Sequence, residues 1–372
     1  MTDPSLQDEI AARRRDISTD SYPMSIGELT NLYRDNELDV HPEFQRIFRW
    51  SIEQKSRLIE SILLGIPLPS IFVSQTEGGT WDIVDGVQRV STILEFQGLL
   101  IDDEGKKLPP LKLTSTRYLT QLDGIVWETD DPDVKALSQA ERLDIRRAKV
   151  DLKIIKREST AAAKYDLFQR LNSYGSLLTR QELRSCLIIS ISRRFYYWLD
   201  ELRKHQSFID TVALADRLLQ EQYDLELVLR FVIFRALDPD GIRSVGNIGE
   251  FLDSKSMELA SAEFDFDAEG RRFRQTFDIL ADYGEDVFRK YNAEKGRFQG
   301  AFLNTAFEVV GLGLGYHIDY YANHPGQANA LDRAKEFWGD TSFAPGFSTG
   351  MRADTRMTRT IPRGRELFEP RA

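Results

Sequence analysis

Apolar positions in the first half of the chain switch repeatedly between the spacing of a helix and that of a strand. SYPMSIGELTNLYRDNEL opens as a short extended piece and continues as a helix to about Asn36, with Ser25 at the N-cap and Glu28 completing a capping box. In LDVHPEFQRIFRW, Pro42 disfavours helix at the residue before it, and the mixture of arginine and aromatics reads as an ordered loop or short strand. Ser51 then caps SIEQKSRLIESILLG, where Ile52, Leu58, Ile59, Ile62 and Leu63 fall near helical spacing and Gly65 ends the run. IPLPSIFVSQ is a strand opened by prolines, EGGT a turn, and WDIVDG a second strand that leads directly into the helix VQRVSTILEFQGLL.

Between Leu100 and Asp133 periodicity fades, which predicts irregular structure or an insertion. A helix over LSQAERLDIRRAK, a strand over VDLKIIK and a helix over TAAAKYDLFQRLN follow, the last ending in the loop NSYGSLL. Thr179 and Glu182 form a further capping box before QELRSCLIISISRRFYYWLDEL. From there to about Asn323 the pattern is helical, as in YDLELVLRFVIFRAL and FLNTAFEVVGLGLGYHIDYY, with connections such as DPDGIRSVGNIG. The expected fold class is therefore α+β. Its order is a polar leader (1–20), a mixed domain (21–190) with an irregular insertion near 100–133, an all-helical domain (191–345) and a basic tail (346–372).

Composition narrows the chemistry. No apolar run among the 372 residues approaches the roughly 20 needed to cross a bilayer, and the N-terminus lacks the apolar core of a secretory signal, so a cytoplasmic protein without membrane contact is expected. One cysteine and four histidines cannot build a thiolate or imidazole metal cluster. A net charge of -10 excludes a surface that coats nucleic acid indiscriminately and leaves room only for a local basic patch. The signatures of P-loop, Rossmann and zincin sites are missing.

Four segments carry candidate chemistry. IVDGVQR sets Asp85, Gly86, Gln88 and Arg89 at a strand-to-helix junction, where unpaired N–H groups and the helix dipole favour phosphate. There Gly86 permits close approach, Arg89 supplies a bidentate fork, Gln88 orients a water or a ribose hydroxyl, and Asp85 holds magnesium or accepts a hydrogen bond. The competing reading makes Asp85 a helix cap and Arg89 half of a surface ion pair. Arg46 and Arg49, among aromatics, are either phosphate ligands or structural arginines stacked on Phe44, Phe48 or Trp50. Asn172, Gly175 and Ser176, flanked by Arg170 and Arg184, either face a ligand or belong to a plain helix-loop-helix. In the tail, Arg352, Arg356, Arg359, Arg363 and Arg365 alternate with threonines, which suits phosphate contacts on nucleic acid or a nucleotide, or else a solvated basic tail. His317 reads as a packed helix residue rather than a base.

Taken together and in order, PEFQR-x-x-x-W, KSRLIESILLGIPLPSIFV, IVDGVQRVSTILEF and FQRLNSYGSLLTRQELR resemble the N-terminal domain family of GmrSD-type restriction enzymes, over roughly residues 21–190. The resemblance implies a ParB/sulfiredoxin-like fold and a DGQQR-type motif tied to binding and hydrolysis of a nucleoside triphosphate, in defence against phage with modified DNA. By that resemblance Asp85, Gly86, Gln88 and Arg89 match the motif, and Arg46 matches the arginine of its upstream F-Q-R. Val87 stands where the family has its first glutamine, a departure that bears on hydrolysis more than on binding. Full enzymes of this kind also carry an HNH-type nuclease with a His-x-x-Pro signature; His324 with Pro325 is the nearest approach here and lacks the spacing.

The leading expectation is a ParB-like triphosphate-binding protein with possible NTPase activity. Asp85, Gln88 and Arg89 carry its chemistry, Mg2+ sits on Asp85, and Arg46, Gly86, Arg89, Asn172 and Arg184 surround the nucleotide. Its expected partners are the nucleotide, DNA, and a separate nuclease or methyltransferase subunit. The alternative is a non-enzymatic DNA-binding or scaffold protein that uses the same arginines on a DNA backbone.

Overall fold

The computed structural model describes residues 5–7, 10, 18–40, 50–76, 78–102, 105–157, 159, 167, 179–343 and 352–370, apart from the side chains at 190, 342 and 354. The chain divides into two compact units, residues 1–177 and 178–372.

The first unit is built on a five-stranded mixed sheet. Its elements are β1 (Thr19–Ser25), α1 (Ile26–Arg34), β2 (Leu38–Asp39), α2 (Ile52–Leu63), β3 (Ile71–Gln75), β4 (Trp81–Asp85), α3 (Val87–Phe96), α4 (Gln139–Arg147) and β5 (Lys149–Ile155). The strands lie in the order β1-β5-β3-β4-β2. β1 runs antiparallel to β5 and β3 antiparallel to β4, while β5 with β3 and β4 with β2 are parallel. Apolar residues on alternate strand positions, among them Ile71, Val73, Ile83, Val150 and Leu152, are buried with Leu58, Ile59 and Ile62 of α2 and Val90, Ile93, Leu94 and Phe96 of α3.

Local signals place most of these elements. Ser51 and Ser138 both make full capping boxes, with Gln54 and Glu141. The box expected at Ser25 is only half made. Its hydroxyl accepts from the Glu28 amide, but the Glu28 carboxylate accepts from the Tyr22 hydroxyl at 2.8 Å instead of turning back to the cap. Helix α1 also stops at Arg34, before Asn36, whose φ of 59° cannot continue it.

The aperiodic stretch after Leu100 is irregular as expected, with one short 3₁₀ turn at Thr120–Leu122, yet it is packed rather than loose. Leu111, Leu113, Leu122 and Trp127 are buried, and Trp127 meets Phe96 edge-on at 5.7 Å. Glu60, on the buried face of α2, anchors it by accepting from Thr116 Oγ1 at 2.5 Å, the Tyr118 amide at 2.8 Å and the Leu119 amide at 2.9 Å. Burial opposes ionisation of Glu60, but these three bonds outweigh it and hold the carboxyl below the usual range.

The second unit contains α5 (Arg180–Ile191), α6 (Arg193–Arg203), α7 (Tyr223–Ala236), α8 (Ile248–Ser261), α9 (Phe266–Ala281), α10 (Ala330–Gly339) and α11 (Ala353–Leu367), with shorter helical turns between them. Apolar residues surround α7 on every side, which marks it as the central buried helix. Phe208, Phe231, Phe273, Phe277, Phe288 and Phe307 form a continuous aromatic core, with Phe273 and Phe277 at 4.6 Å and Phe208 and Phe277 at 4.8 Å.

Four sequence expectations need correction here. QELRSCLIISISRRFYYWLDEL is two helices, because Ser192 is extended and its hydroxyl caps α6 through the Phe195 amide. The all-helical half contains a two-stranded hairpin, β6 (Lys290–Asn292) with β7 (Arg297–Gln299). Helix α5 belongs to the second unit, because Arg180 and Arg184 bind Asp253 of α8, so the break falls before residue 190. The basic tail holds a helix, α11, with Met357, Thr360 and Ile361 fully buried. The helix expected over TAAAKYDLFQRLN lies, except for residue 167, outside the described residues.

Helix α11 packs backbone to backbone on the glycine-rich GLGLG segment. A Cβ on Gly364 would stand 2.4 Å from the Val309 carbonyl oxygen, and one on Gly313 2.5 Å from that of Gly364. Backbone cannot yield as a flexible side chain can, so Gly364→Ala is expected to cost about 3 kcal/mol and lower Tm by several degrees in a thermal melt.

For the first unit, Glu60→Gln should destabilise by about 1–2 kcal/mol at neutral pH. Because its folded pKa is depressed, the contribution of Glu60 is full above the unfolded value and fades as pH falls through the folded one. Melts of both proteins should therefore converge in acid; a gap independent of pH would refute this account.

Candidate functional site

The strand-to-helix junction expected at IVDGVQR is present, with β4 ending at Asp85 and α3 beginning at Val87. The pairing of β3 with β4 slips between Phe72 and Val73, so Asp85 lies opposite Phe72 while Ile83 lies opposite Val73. Such a bulge kinks the strand end and re-aims its last side chain. Gly86 occupies the N-cap in left-handed geometry at φ 97°, and a Cβ there would press on Ile71 Cγ1 at 3.1 Å and Arg89 Nη2 at 3.2 Å. Glycine alone meets both demands. It has no side chain to cap α3, so among the described residues the first-turn amides have no side-chain acceptor.

Arg89 bridges the turn. Its Nη2 donates to Asp85 Oδ2 at 2.8 Å, and Nη1 donates to the carbonyl of Ser70 at 3.1 Å and to that of Pro69. Its side chain is 11% exposed, against 52% for Asp85. The ion pair of the competing reading is thus present, but Asp85 is not the cap: it holds the guanidinium that braces the turn. The contact continues sideways, since the Ser70 hydroxyl donates to Asp151 Oδ2 at 2.8 Å, and Asp151 also receives Lys153 at 3.1 Å. Hydrogen bonding from Ser70 and then Lys153 holds the Asp151 carboxyl below its ordinary range. Ser70, Asp151 and Lys153 escaped the sequence reading because only the pairing of β3 with β5 brings them near the motif.

Gln88 is engaged as well: its Oε1 accepts from the Trp50 amide at 3.1 Å, which ties the start of the α2 segment to the first turn of α3. Val87 is 7% exposed, so the position that departs from the family motif faces the interior. Arg46, Arg49, Asn172, Gly175, Ser176 and Arg170 lie outside the described residues.

Arg184 and the tail arginines are placed differently from the expectation. Arg184 is 1% exposed, with Nε on Asp253 Oδ1 at 2.8 Å and Nη1 directed to Gln181 and Glu226. Arg180 adds a second guanidinium to Asp253 at 2.7 Å, while burial pushes the Asp253 carboxyl up to about 8. Arg184 is thereby consumed inside the helical unit, which removes it as a nucleotide contact. Arg356 pairs with Glu308 at 2.6 Å, because a carboxylate only 3% exposed requires a partner. Arg365 donates to the carbonyls of Phe234, Arg235 and Leu237 at the end of α7, and Arg359 lies over the Phe343 ring at 5.2 Å. Arg352 is exposed at the N-cap of α11. His317 Nε2 donates to the Arg365 carbonyl at 3.0 Å, and burial lowers its pKa.

The described residues contain no group of three or more His, Cys, Asp or Glu side chains able to hold a metal. An open groove of about 370 Å³ lies along α1, lined in part by Thr30, Asn31, Arg34, Gln97 and Arg146. Gln97 is the C-cap of α3, so this groove is at the far end of the helix from Gly86.

Fold and junction together define an α+β protein whose small mixed sheet delivers a strand into a glycine-opened, uncapped helix. Residues 26–189 match the family model described as GmrSD restriction endonuclease, N-terminal domain, which supports that family for this part of the chain and points to a role in a restriction system. No curated protein and no solved structure matches the chain. Among the described residues no helix is long and apolar enough to cross a membrane.

Gly86→Ala isolates the turn. A left-handed alanine whose Cβ meets Ile71 and Arg89 should lower stability by about 1–3 kcal/mol, read as a shifted urea midpoint with unchanged m-value. An unshifted midpoint would mean that the turn tolerates a side chain and does not depend on glycine.

Proposed function

We propose that the start of α3 binds the phosphates of a nucleoside triphosphate, in a ParB-like domain serving restriction or phage defence, and that occupancy regulates DNA contact or a partner nuclease. One observation carries this reading. Of helices α1 to α4, three begin under a serine cap, whereas α3 begins at a left-handed glycine with its first-turn amides uncapped. An anion is the natural complement of such a terminus.

The roles divide differently from the motif read as a string. Backbone amides from Val87 onward hold phosphate, and Arg89 acts as the brace that fixes their direction, since its guanidinium is committed to Asp85 and to two carbonyls. Arg46 is the charge brought from upstream by the family pattern. Asp85 fits Mg2+ in the way that ion is commonly held, by one carboxylate together with substrate phosphates, and the ion would neutralise charge on the phosphates. Hydrolysis is the second claim and binding the first, because Val87 offers no polar group to position water.

Isothermal titration with GTP, ATP and CTP, each with magnesium, tests the proposal together with Gln88→Glu. Glutamate keeps the shape and the acceptor for Trp50 but sets a negative charge in the first turn, so nucleotide affinity should fall on the order of tenfold or more while the melting curve is unchanged. If no nucleotide binds more tightly than about 1 mM, the proposal fails.

A further inference from the structure

The hairpin β6–β7 is the one sheet element of the second unit among the described residues, and its two faces differ in kind. Its register sets Lys290 opposite Gln299, Tyr291 opposite Phe298 and Asn292 opposite Arg297. Alternation therefore puts Tyr291 and Phe298 on one face and Lys290, Asn292, Arg297 and Gln299 on the other. The aromatic face is anchored. Tyr291 and Phe298 pack at 5.0 Å, Lys335 of α10 lies over the Tyr291 ring at 6.0 Å, and Trp338 of α10 donates to the Arg289 carbonyl at 3.2 Å. The turn is ordered by Asn292, whose side-chain oxygen accepts from the Lys295 amide at 3.0 Å, and by Gly296 at φ 61°.

On the opposite face and in the turn the charge is unspent. Lys290, Lys295 and Arg297 are exposed and form no ion pair among the described residues. Arg289, at the base, is paired with Glu285 and Asp286, and Glu294 in the turn is the single carboxylate of the ribbon. Three free cations on a ten-residue ribbon stand out in a chain of net charge -10. In contrast, most arginines of the C-terminal segment that looked basic in sequence are spent on internal contacts.

We propose that this hairpin is a DNA-contacting ribbon, laid into the major groove of duplex DNA with its Lys290–Arg297 face toward the bases and phosphates. The shape fits. A two-stranded ribbon is narrow enough for a groove about 12 Å wide. The side chains fit as well, since lysine and arginine neutralise phosphate or pair with guanine, and a glutamine amide such as that of Gln299 pairs with adenine. The ribbon is held by α10 and needs no ordering on binding, which lowers the entropic cost of association. The inference stands on the hairpin alone and is independent of nucleotide at α3.

Fluorescence anisotropy of the full chain with a labelled duplex of two helical turns, roughly 20 base pairs, across salt from about 50 to 200 mM tests it. The triple variant Lys290→Ala, Lys295→Ala, Arg297→Ala should lose on the order of tenfold in affinity, and its log-log salt slope should shrink by roughly 0.9 for each phosphate contact removed. Lys106→Ala, Lys107→Ala, Lys112→Ala removes the same charge from exposed positions in the first unit and should leave both readings unchanged. Arg297→Gln, melted in parallel, carries the same test at single-contact scale if the triple variant does not fold. The proposal is overturned if the chain shows no duplex binding at the lowest salt, if the hairpin variants bind as the parent does, or if both triple variants lose equally. Gln88→Glu should leave the DNA curve untouched, which separates failure here from failure of the nucleotide proposal.

Discussion

A strand that must become a helix within a single residue needs one left-handed position, and in this protein that position is Gly86. Everything near the motif follows from holding that turn in place. The bulge at the end of β4 turns Asp85, Asp85 receives Arg89, and Arg89 reaches back to the carbonyls that precede β3. A surface ion pair contributes about 0–1 kcal/mol, but here one partner is nearly enclosed and also bonds to backbone, so the guanidinium acts as a clamp across three segments. The helix end is left open as a geometric by-product of choosing glycine, and that openness is what the proposed phosphate binding would use.

The same reasoning reassigns the arginines. Arginine counts in a sequence measure charge that has been supplied, whereas binding depends on charge left over after the fold has taken its share. Asp253 and Glu308 are both buried carboxylates, and each draws guanidinium groups inward: Arg180 and Arg184 to the first, Arg356 to the second. Such pairs contribute less to stability than their distances imply, because both partners lose water, but removing either partner strands the other. They are fixtures of the helical unit.

Much of the fold was legible because its cues are local. Hydroxyl caps at Ser51 and Thr179 with their partners three residues on, the turn between β3 and β4, and the strand-to-helix step at Gly86 are all encoded within a few neighbouring residues. What was misread depends on contacts that residue spacing alone does not select. The half-made box at Ser25 is decided by Tyr22 capturing Glu28, the break at Ser192 by a cap hidden within a continuous helical pattern, and the order in the aperiodic stretch by Glu60 reaching Thr116 and its neighbours. At the candidate site, the strand-to-helix junction was legible, but the contacts among its residues were not. That Arg89 braces rather than waits for phosphate rests on carbonyls twenty and nineteen residues upstream, which no spacing rule connects to it.

The hairpin shows the converse case, in which a weak sequence signal hides a definite surface. KYNAEKGRFQ lies within a long helical pattern and carries only three cations, fewer than the C-terminal segment. Folding turns those few into a face, because period-two alternation sends Tyr291 and Phe298 inward and leaves Lys290 and Arg297 outward on paired strands. A helix such as α11 distributes four arginines around its circumference, where neighbouring carboxylates and carbonyls can collect them. A two-stranded ribbon has no such surroundings on its outer face. The geometry of the element, more than the number of its charges, decides which cations remain available to a partner.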